Sequence, residues 1–394
     1  MRWRFNPRSE FRPVRRDKMA SSTYQFLING EPADDELIAV MGPLDVEENV
    51  DLPGAIQLTL PVDSDGAGDL TFVNDPRFQP FVNLAVVATP AGQSDQCIFD
   101  GYVLANKLHL QKGTTGSTLT VWGQDASWLM NLEEKVKEWV DVTDADVASS
   151  IFGNYGITPA SDNSEDDSPS HTEDGHTLMQ RASDIQFLRN LARRNGKLCR
   201  VSCTDTPGER TGYFAKPNVD GHPVVTLELN DPDAWTVDSL NLDWDVTRPT
   251  EVQAWQALFT DSDPDGVNVD ETESGLDPLS DMSLSQFSGK NMQVLLTTTV
   301  DDAQELSLRA LSLLRDAGWF VRCEGEADVA RLNAVLRAGT VVQIDGAGGL
   351  NSGKYFVWSV RHTIDKQAHR MKFVLVRNAV GTPPSGSSGP IGGL

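Results

Sequence analysis

The chain has 394 residues, 39% hydrophobic and 23% charged, with 33 Lys and Arg against 57 Asp and Glu and a net charge of −24. That length exceeds one average core and predicts two or three domains, and the ordinary apolar fraction allows each to fold. The charge argues against a protein that wraps nucleic acid or docks on anionic lipid, since both need clustered cations.

Residues 1–18, MRWRFNPRSEFRPVRRDK, are Arg-rich with no apolar stretch behind the basic part, so they do not read as a secretory signal. Residues 1–21 are expected to be a disordered basic arm. From Ser22 to about Met130 the apolar period is two: Ile56, Leu58, Leu60 and Val62 alternate with polar residues. Short β-rich runs between Gly, Asp and Asn clusters predict an antiparallel sheet or small barrel.

The period then changes. Thr143 and Asp146 form a capping-box pair for a helix carrying Val147 and Ile151, with Gly153 expected to end it. The acidic, Ser-rich stretch from Asp162 to Asp174 reads as an exposed loop. A second helix is expected from Ser183 to Gly196, with Ser183 as cap, Gln186 three residues on, and Ile185, Leu188, Leu191 and Ala192 as one apolar stripe. Arg193 and Arg194 suit the negative end of its dipole. A helical insert therefore separates two β-rich regions.

Strands resume over LCRVSC, TGYFAK, VVTLEL and SLNLDWDV, between Leu198 and about Gln256. A further acidic loop follows at Asp261–Glu273. Gln293–Val300 is β-like. A helix is expected from about Asp301 to Ala317, with Ala303, Leu306, Ala310, Leu313 and Ala317 as its stripe and Gly318 closing it. The remainder reads as strands. Two segments echo each other as long, Gly-led hairpins: Gly101–Leu108 with Leu119–Val121, and Gly353–His362 with Phe373–Leu375. The C-terminal TPPSGSSGPIGGL reads as a flexible tail. No apolar run approaches the roughly 20 residues of a membrane helix.

Chemistry is sparse. There is no GxSxG elbow and no HExxH helix. The four cysteines, Cys97, Cys199, Cys203 and Cys323, are scattered. Only Cys199 and Cys203 have metal-compatible spacing, and no second pair completes a zinc site. His171 and His176 fall in the acidic loop and read as solvated. Gly348-x4-Gly353-Lys354 has phosphate-loop spacing, but Tyr355 stands where magnesium needs Ser or Thr and a strand follows, so a β-turn is expected. Asp261, Asp263, Asp265 and Gly266 begin like a calcium loop, yet Thr272 occupies the place of the bidentate Glu. No catalytic, cofactor or metal residue is assigned, and no cofactor is expected.

The order of motifs carries more information than any one of them. Ser183-Asp184-x-x-Phe187-Leu188-x-x-Leu191-Ala192-x-x-Asn195-Gly196 resembles the helix signature of the phage late control gene D family, the baseplate hub proteins of contractile tails and injection systems, to which the hub half of VgrG belongs. Phe99-Asp100-Gly101-Tyr102-Val103 and Leu119-Thr120-Val121-x-Gly123-x-Asp125 resemble its first barrel. Arg337-Ala338-Gly339-Thr340-Val341-Val342, then Gly353-x-Tyr355-x-Val357-x-x-Val360-x-His362 and Arg377-Asn378, resemble its second. The resemblance covers about Ser22 to Ala379. No β-helical spike follows Asn378, so it implies a stand-alone hub.

What the resemblance implies is a mainly β fold with a helical insert: two β-barrel tube domains of similar build plus a small helical domain. The expected layout is a first barrel over 22–130, a helical insert over 131–197, a linking β-rich segment over 198–285, a second barrel over 286–381 and a tail over 382–394. It also implies a homotrimer that joins a spike protein on one face to the inner tube or a tube-initiator on the other, with baseplate wedge proteins around it. No specific nucleic acid and no membrane insertion are expected. Assembly would be cytoplasmic, into a phage tail or injection particle, and the role structural, not enzymatic. The competing reading is a tail-borne peptidoglycan or polysaccharide hydrolase, or a carbohydrate- or calcium-binding module.

Overall fold

A computed structural model describes residues 22–66, 68–112, 116–164, 168, 170–173, 177–256, 267–300 and 303–382. The expected basic arm, the calcium-like Asp261–Gly266, His176, Asp301 and Asp302 lie outside the described residues, as does the tail beyond Thr382. The fold is mainly β with helices between the strands, as the sequence implies.

The first part comprises β1 (Thr23–Ile28), β2 (Glu31–Pro32), α1 (Asp35–Val40), β3 (Leu44–Asn49), β4 (Ala55–Pro61), β5 (Asn83–Thr89), β6 (Gln96–His109) and β7 (Thr118–Asp125). The middle holds β8 (Glu134–Trp139), α2 (Asp144–Asn154), β9 (Thr158–Pro159), β10 (Leu178–Ser183), α3 (Asp184–Arg194), β11 (Leu198–Cys203) and β12 (Arg210–Ala215). The last part runs β13 (Thr226–Glu228), β14 (Ser239–Trp244), β15 (Glu251–Gln256), β16 (Val267–Glu271), α4 (Leu284–Ser288), β17 (Gln293–Leu296), α5 (Ala303–Gly318), β18 (Val321–Asp328), α6 (Val329–Leu332), β19 (Val341–Asp345), α7 (Gly348–Asn351), β20 (Gly353–Ile364) and β21 (His369–Arg377).

One 13-stranded sheet joins the two β parts in the order β14-β18-β21-β20-β3-β4-β7-β6-β5-β1-β2, with β19 on β20 and β13 on β19. The seam is the antiparallel pair β3–β20, from Ser359 opposite Asn49 to Ile364 opposite Leu44. Alternation works as read: in β4, Ile56, Leu58 and Leu60 point inward. A single apolar cluster gathers residues from both sides of the seam, Leu58, Val86 and Val121 with Val357, Phe373 and Leu375.

The echoing hairpins are real and share a detail the sequence does not announce. β6–β7 shifts register between Val103 and Ala105, and β20–β21 between Val357 and Ser359. Each irregularity follows an aromatic-Val pair, Tyr102-Val103 and Phe356-Val357. A bulge of this kind bends the strand and increases its twist. Gly101 is required because a Cβ there would lie 2.1 Å from the Gln124 carbonyl oxygen.

The middle segment has its own core. Val147, Ile151 and Phe152 of α2 meet Leu188 and Leu191 of α3, with Cys199 and Phe214 from β11 and β12. Those two strands, expected to link the barrels, thus pack with the helices. α2 carries the capping box of Thr143 and Asp146, but ends at Asn154, one residue beyond Gly153; Gly156, at φ +66°, follows its cap. In α3 Ser183 stands at the expected N-cap position, but its side chain makes no cap hydrogen bond. The Ser183 hydroxyl and the Gln186 amide both donate to the Asn131 side chain, at 2.6 and 3.2 Å, so the helix start is tethered to the turn before β8.

α5 packs on the small sheet β16-β15-β17 through Leu306, Ala310 and Leu314 against Val252, Ala254 and Val269. Full burial of a leucine contributes about 2 kcal/mol. The expected stripe is partly wrong: Ala303 is exposed and Leu313 half-buried, while Leu308 and Leu314 are buried. α5 lies between the small sheet and the middle segment, so it buries more than one face. Gly348–Asn351 forms one helical turn, not the expected β-turn, before the strand that begins at Gly353. The Asp162–Asp174 loop is not wholly exposed, because Asn163, Ser168 and His171 are buried.

Candidate functional site

The polar groups with the most developed surroundings lie where the middle segment meets the two β parts. Asp100 of β6 is buried and receives four donors. Arg210 of β12 gives two, Nε to Oδ2 at 2.9 Å and Nη2 to Oδ1 at 3.0 Å; the Gly208 N–H gives a third at 2.9 Å and the Asn83 amide a fourth at 2.8 Å. Burial works against the Arg210 charge, and the Asp100 carboxylate outweighs it, holding the guanidinium above its usual range. Bidentate geometry makes this the stronger kind of ion pair.

A second tie runs from Glu48 of β3 to the turn before β19. Arg337 Nε donates to Glu48 Oε1 at 2.6 Å, and the Ala338 N–H to Oε2 at 3.1 Å. Burial opposes the Arg337 charge and Glu48 overrides it, so this arginine is raised too. Beside it, the Cys203 thiol of β11 donates to the Cys97 carbonyl of β6 at 2.7 Å. Its hydrogen bonding with Cys97 and its burial push this thiol up, and burial takes Cys199 and Cys323 to about 12. All three are therefore protonated near neutrality, unlike the thiolates that bind zinc or attack substrates.

The middle segment is itself cross-tied. His171, expected in a solvated loop, bonds through Nε2 to Asp144 Oδ1 at 2.7 Å, and Asn195 donates to the other oxygen of Asp144. A buried carboxylate with free acceptors captures the loop that carries the imidazole. Asp184 accepts from Lys135 at 2.6 Å, Gln180 at 2.6 Å and Tyr155 at 2.7 Å. Burial pushes the Asp184 carboxyl up, but these donors outweigh it and hold it below the usual range. α3 joins α5 through Arg194–Glu305 at 2.5 Å and Arg315 Nη1 to the Asn195 carbonyl at 2.9 Å.

In the second β part, His362 and His369 face each other, Nδ1 to Nε2 at 3.0 Å, both buried, and His362 Nε2 has no partner among the described residues. Donation from His362 Nδ1–H leaves only a bare acceptor at Nε2, the less costly orphan. Burial lowers both rings, His369 to about 4 and His362 well below its usual value, where His369 and Arg337 add to the effect. The unfolded chain binds these protons near pH 6.5 and the fold refuses them, so stability is lost as pH falls from about 6.5 towards 4. For His369 alone the loss is about 3 kcal/mol. Urea unfolding at about pH 6.5 and 4.5 checks this, and His369→Asn should flatten the difference.

Of the motif series, Asp100 and Arg337 form the junction ties, Asp125 accepts from the Gly54 and Ser127 N–H groups, and His362 pairs with His369 in the second β part. Arg377 pairs with no carboxylate among the described residues. It lies over the Tyr355 ring, 5.0 Å from its centroid, and donates to the Leu350 and Asn351 carbonyls at 3.4 and 3.3 Å, capping the end of α7. Glu48, Arg210 and Asp184's partners Lys135 and Tyr155 were invisible to sequence reading. No local pattern marks them, because each partner lies at least 20 residues away along the chain. Among the described residues no group of three or more His, Cys, Asp or Glu is arranged to hold a metal ion, and no helix is long and apolar enough to cross a membrane.

A family model described as Alg8 N-terminal domain matches residues 18–366. It is not described as late control gene D, the family the motif series resembles. No curated protein matches the sequence. Among solved structures, the 43 kDa tail protein of prophage MuSo2 from Shewanella oneidensis is similar at 14% identity and a TM-score of 0.61, over 91% of this chain and 100% of that one. A tail protein from Neisseria meningitidis MC58 gives 14% and 0.61, over 92% and 98%. An Escherichia coli component of the type VI secretion system, itself structurally similar to the T4 tail proteins gp27 and gp5, gives 12% and 0.54, over 92% and 79%. The chain thus has the fold of phage tail and type VI secretion proteins.

Proposed function

The chain belongs to the Alg8 N-terminal domain family, and from its fold we propose that it is the central baseplate hub of a contractile tail or injection system. In this reading it is a homotrimer that adapts a sixfold inner tube to a threefold spike. The reading rests on the fold and not on the family's description. The observation that carries it is the pair of similarly bulged hairpins, β6–β7 and β20–β21, set on either side of the β3–β20 seam. Two similar β units per chain give six per trimer, which is what a threefold body needs to meet a sixfold ring.

The layout expected from sequence, two tube barrels flanking a helical insert, is part of the proposal. The role is geometric and no reaction is required. In support, the junction carboxylates Asp100 and Glu48 each face a guanidinium group, an arrangement that fixes three segments against one another. Carboxylates so engaged are not set up for acid–base catalysis, where one must stay protonated across a cleft. Spike and tube proteins are the partners, with wedge proteins around them. The −24 charge keeps DNA or acidic cargo from adhering wherever it lines the lumen.

Native mass measurement tests the reading. Three copies of a 43.1 kDa chain weigh about 129 kDa. That species is expected for the purified protein or for its complex with the spike. A stable 43.1 kDa monomer in both settings contradicts it.

A further inference from the structure

Between β11, β12 and the turn before β19 lies a cavity of about 410 Å³. Arg200 of β11 lines it. The guanidinium lies over the Tyr213 ring, 4.1 Å from its centroid. The backbone of Gly339 is another neighbour: a Cβ there would come within 2.3 Å of Nη2, and φ is +85°. Residue 339 therefore supplies a left-handed turn and leaves room for the arginine, two demands only glycine meets.

Arg200 is not committed to any anion among the described residues. Glu48, whose charge it feels, gives both oxygens to Arg337 and Ala338. Asp100 is filled by Arg210, Gly208 and Asn83. Burial pushes the Arg200 guanidinium below the usual arginine range. A partly buried cation with no counter-ion is costly unless an anion arrives from elsewhere. The rest of the wall says which anion. Tyr213, Val341 and Phe356 are apolar or aromatic; Asp162, Asp205, Lys216, His222 and Arg337 also line the cavity, but Arg337 is held by Glu48 and Lys216 is engaged as well. A single fork with its donors free matches one carboxylate.

We propose that this cavity is a recognition site for a peptide carboxylate of a partner protein, an acidic side chain or a chain terminus, held by Arg200. The site is independent of the hub reading, since it follows from the local geometry alone.

The test is a thermal-shift titration of the full chain with blocked Gly-Glu-Gly, blocked Gly-Gln-Gly, N-acetylated Gly-Gly-Gly with a free C-terminus, and inorganic phosphate. A saturable rise in Tm is expected with at least one carboxylate peptide, and which one responds names the source. The Gln peptide should give none. Arg200→Met should abolish the response, and Arg200→Lys, which keeps the charge but loses the fork, should weaken it several-fold. Unliganded Arg200→Met is expected to melt at or above the wild-type temperature, because it removes an unpaired charge. That result separates lost binding from lost folding. The proposal is overturned by a Gln or phosphate response equal to the carboxylate one, a response retained in Arg200→Met, no saturable response to either carboxylate peptide, or Arg200→Met melting well below wild type.

Discussion

Asp100→Ala is expected to destabilise the protein by about 3–5 kcal/mol, the usual result of removing one partner of a buried ion pair. The side chain of Asp100 is 1% exposed and that of Arg210 13%. Among the described residues, Arg210 without the carboxylate keeps only the Tyr102 hydroxyl at 3.2 Å and that ring's face, while the Gly208 N–H and Asn83 amide lose an acceptor. A guanidinium left unpaired at this depth is a costly orphan. Urea unfolding measures the effect. A loss under about 1 kcal/mol would mean that the pair is as dispensable as a surface ion pair. Replacing Asp100 and Arg210 together with apolar residues should cost less than Asp100→Ala alone, since the orphaned charge is then gone.

Gly101→Ala is the second large effect, and its cause is steric. The added methyl would sit 2.1 Å from the Gln124 oxygen and 2.7 Å from Phe99 Cζ. The first neighbour is backbone of the paired strand β7, so it cannot rotate away. Gly101 and Asp125 are register partners two pairs before Val103, where the β6 bulge begins, and separating the strands there disturbs the Asp125 bonds to Gly54 and Ser127 as well. Overpacking of a close-packed site costs about 1–3 kcal/mol and more where backbone must move, so a loss of about 3 kcal/mol is expected. Gly92→Ala is the comparison. Gly92 is also a glycine of this part but has open space around its Cβ, so only its φ of +71° opposes a side chain, and the loss there should be nearer 1 kcal/mol. Equal, small losses at both positions would remove the steric account.

Much of this fold is readable because apolar periodicity reports burial directly. β4, α2, α3 and both long hairpins follow from alternation, caps and glycines that act within a few residues. What escaped was set by distant partners. Ser183 has a cap residue's identity and position but makes no cap bond; its hydroxyl donates instead to Asn131, in the turn before β8. His171 belongs to a polar stretch, yet Asp144 draws it into the interior. α1 was missed although Asp34 caps it, with Oδ1 accepting from the Leu37 N–H at 2.7 Å; a six-residue helix with one buried residue, Leu37, has almost no period to read. The junction shows the same limit. Asp100 and Arg337 stood inside recognisable motifs, but their partners Arg210 and Glu48 are 110 and 289 positions away, and nothing local in the sequence pairs them.

The central claim is that the two β parts of one chain occupy equivalent places around a tube. A cryo-EM reconstruction of the protein assembled on its spike and tube tests this most directly. The hub account predicts three copies about the axis, with the β6–β7 and β20–β21 hairpins alternating around the ring at about 60° intervals. Six copies in the ring, or three copies in which only one of the two hairpins faces the tube, would contradict it.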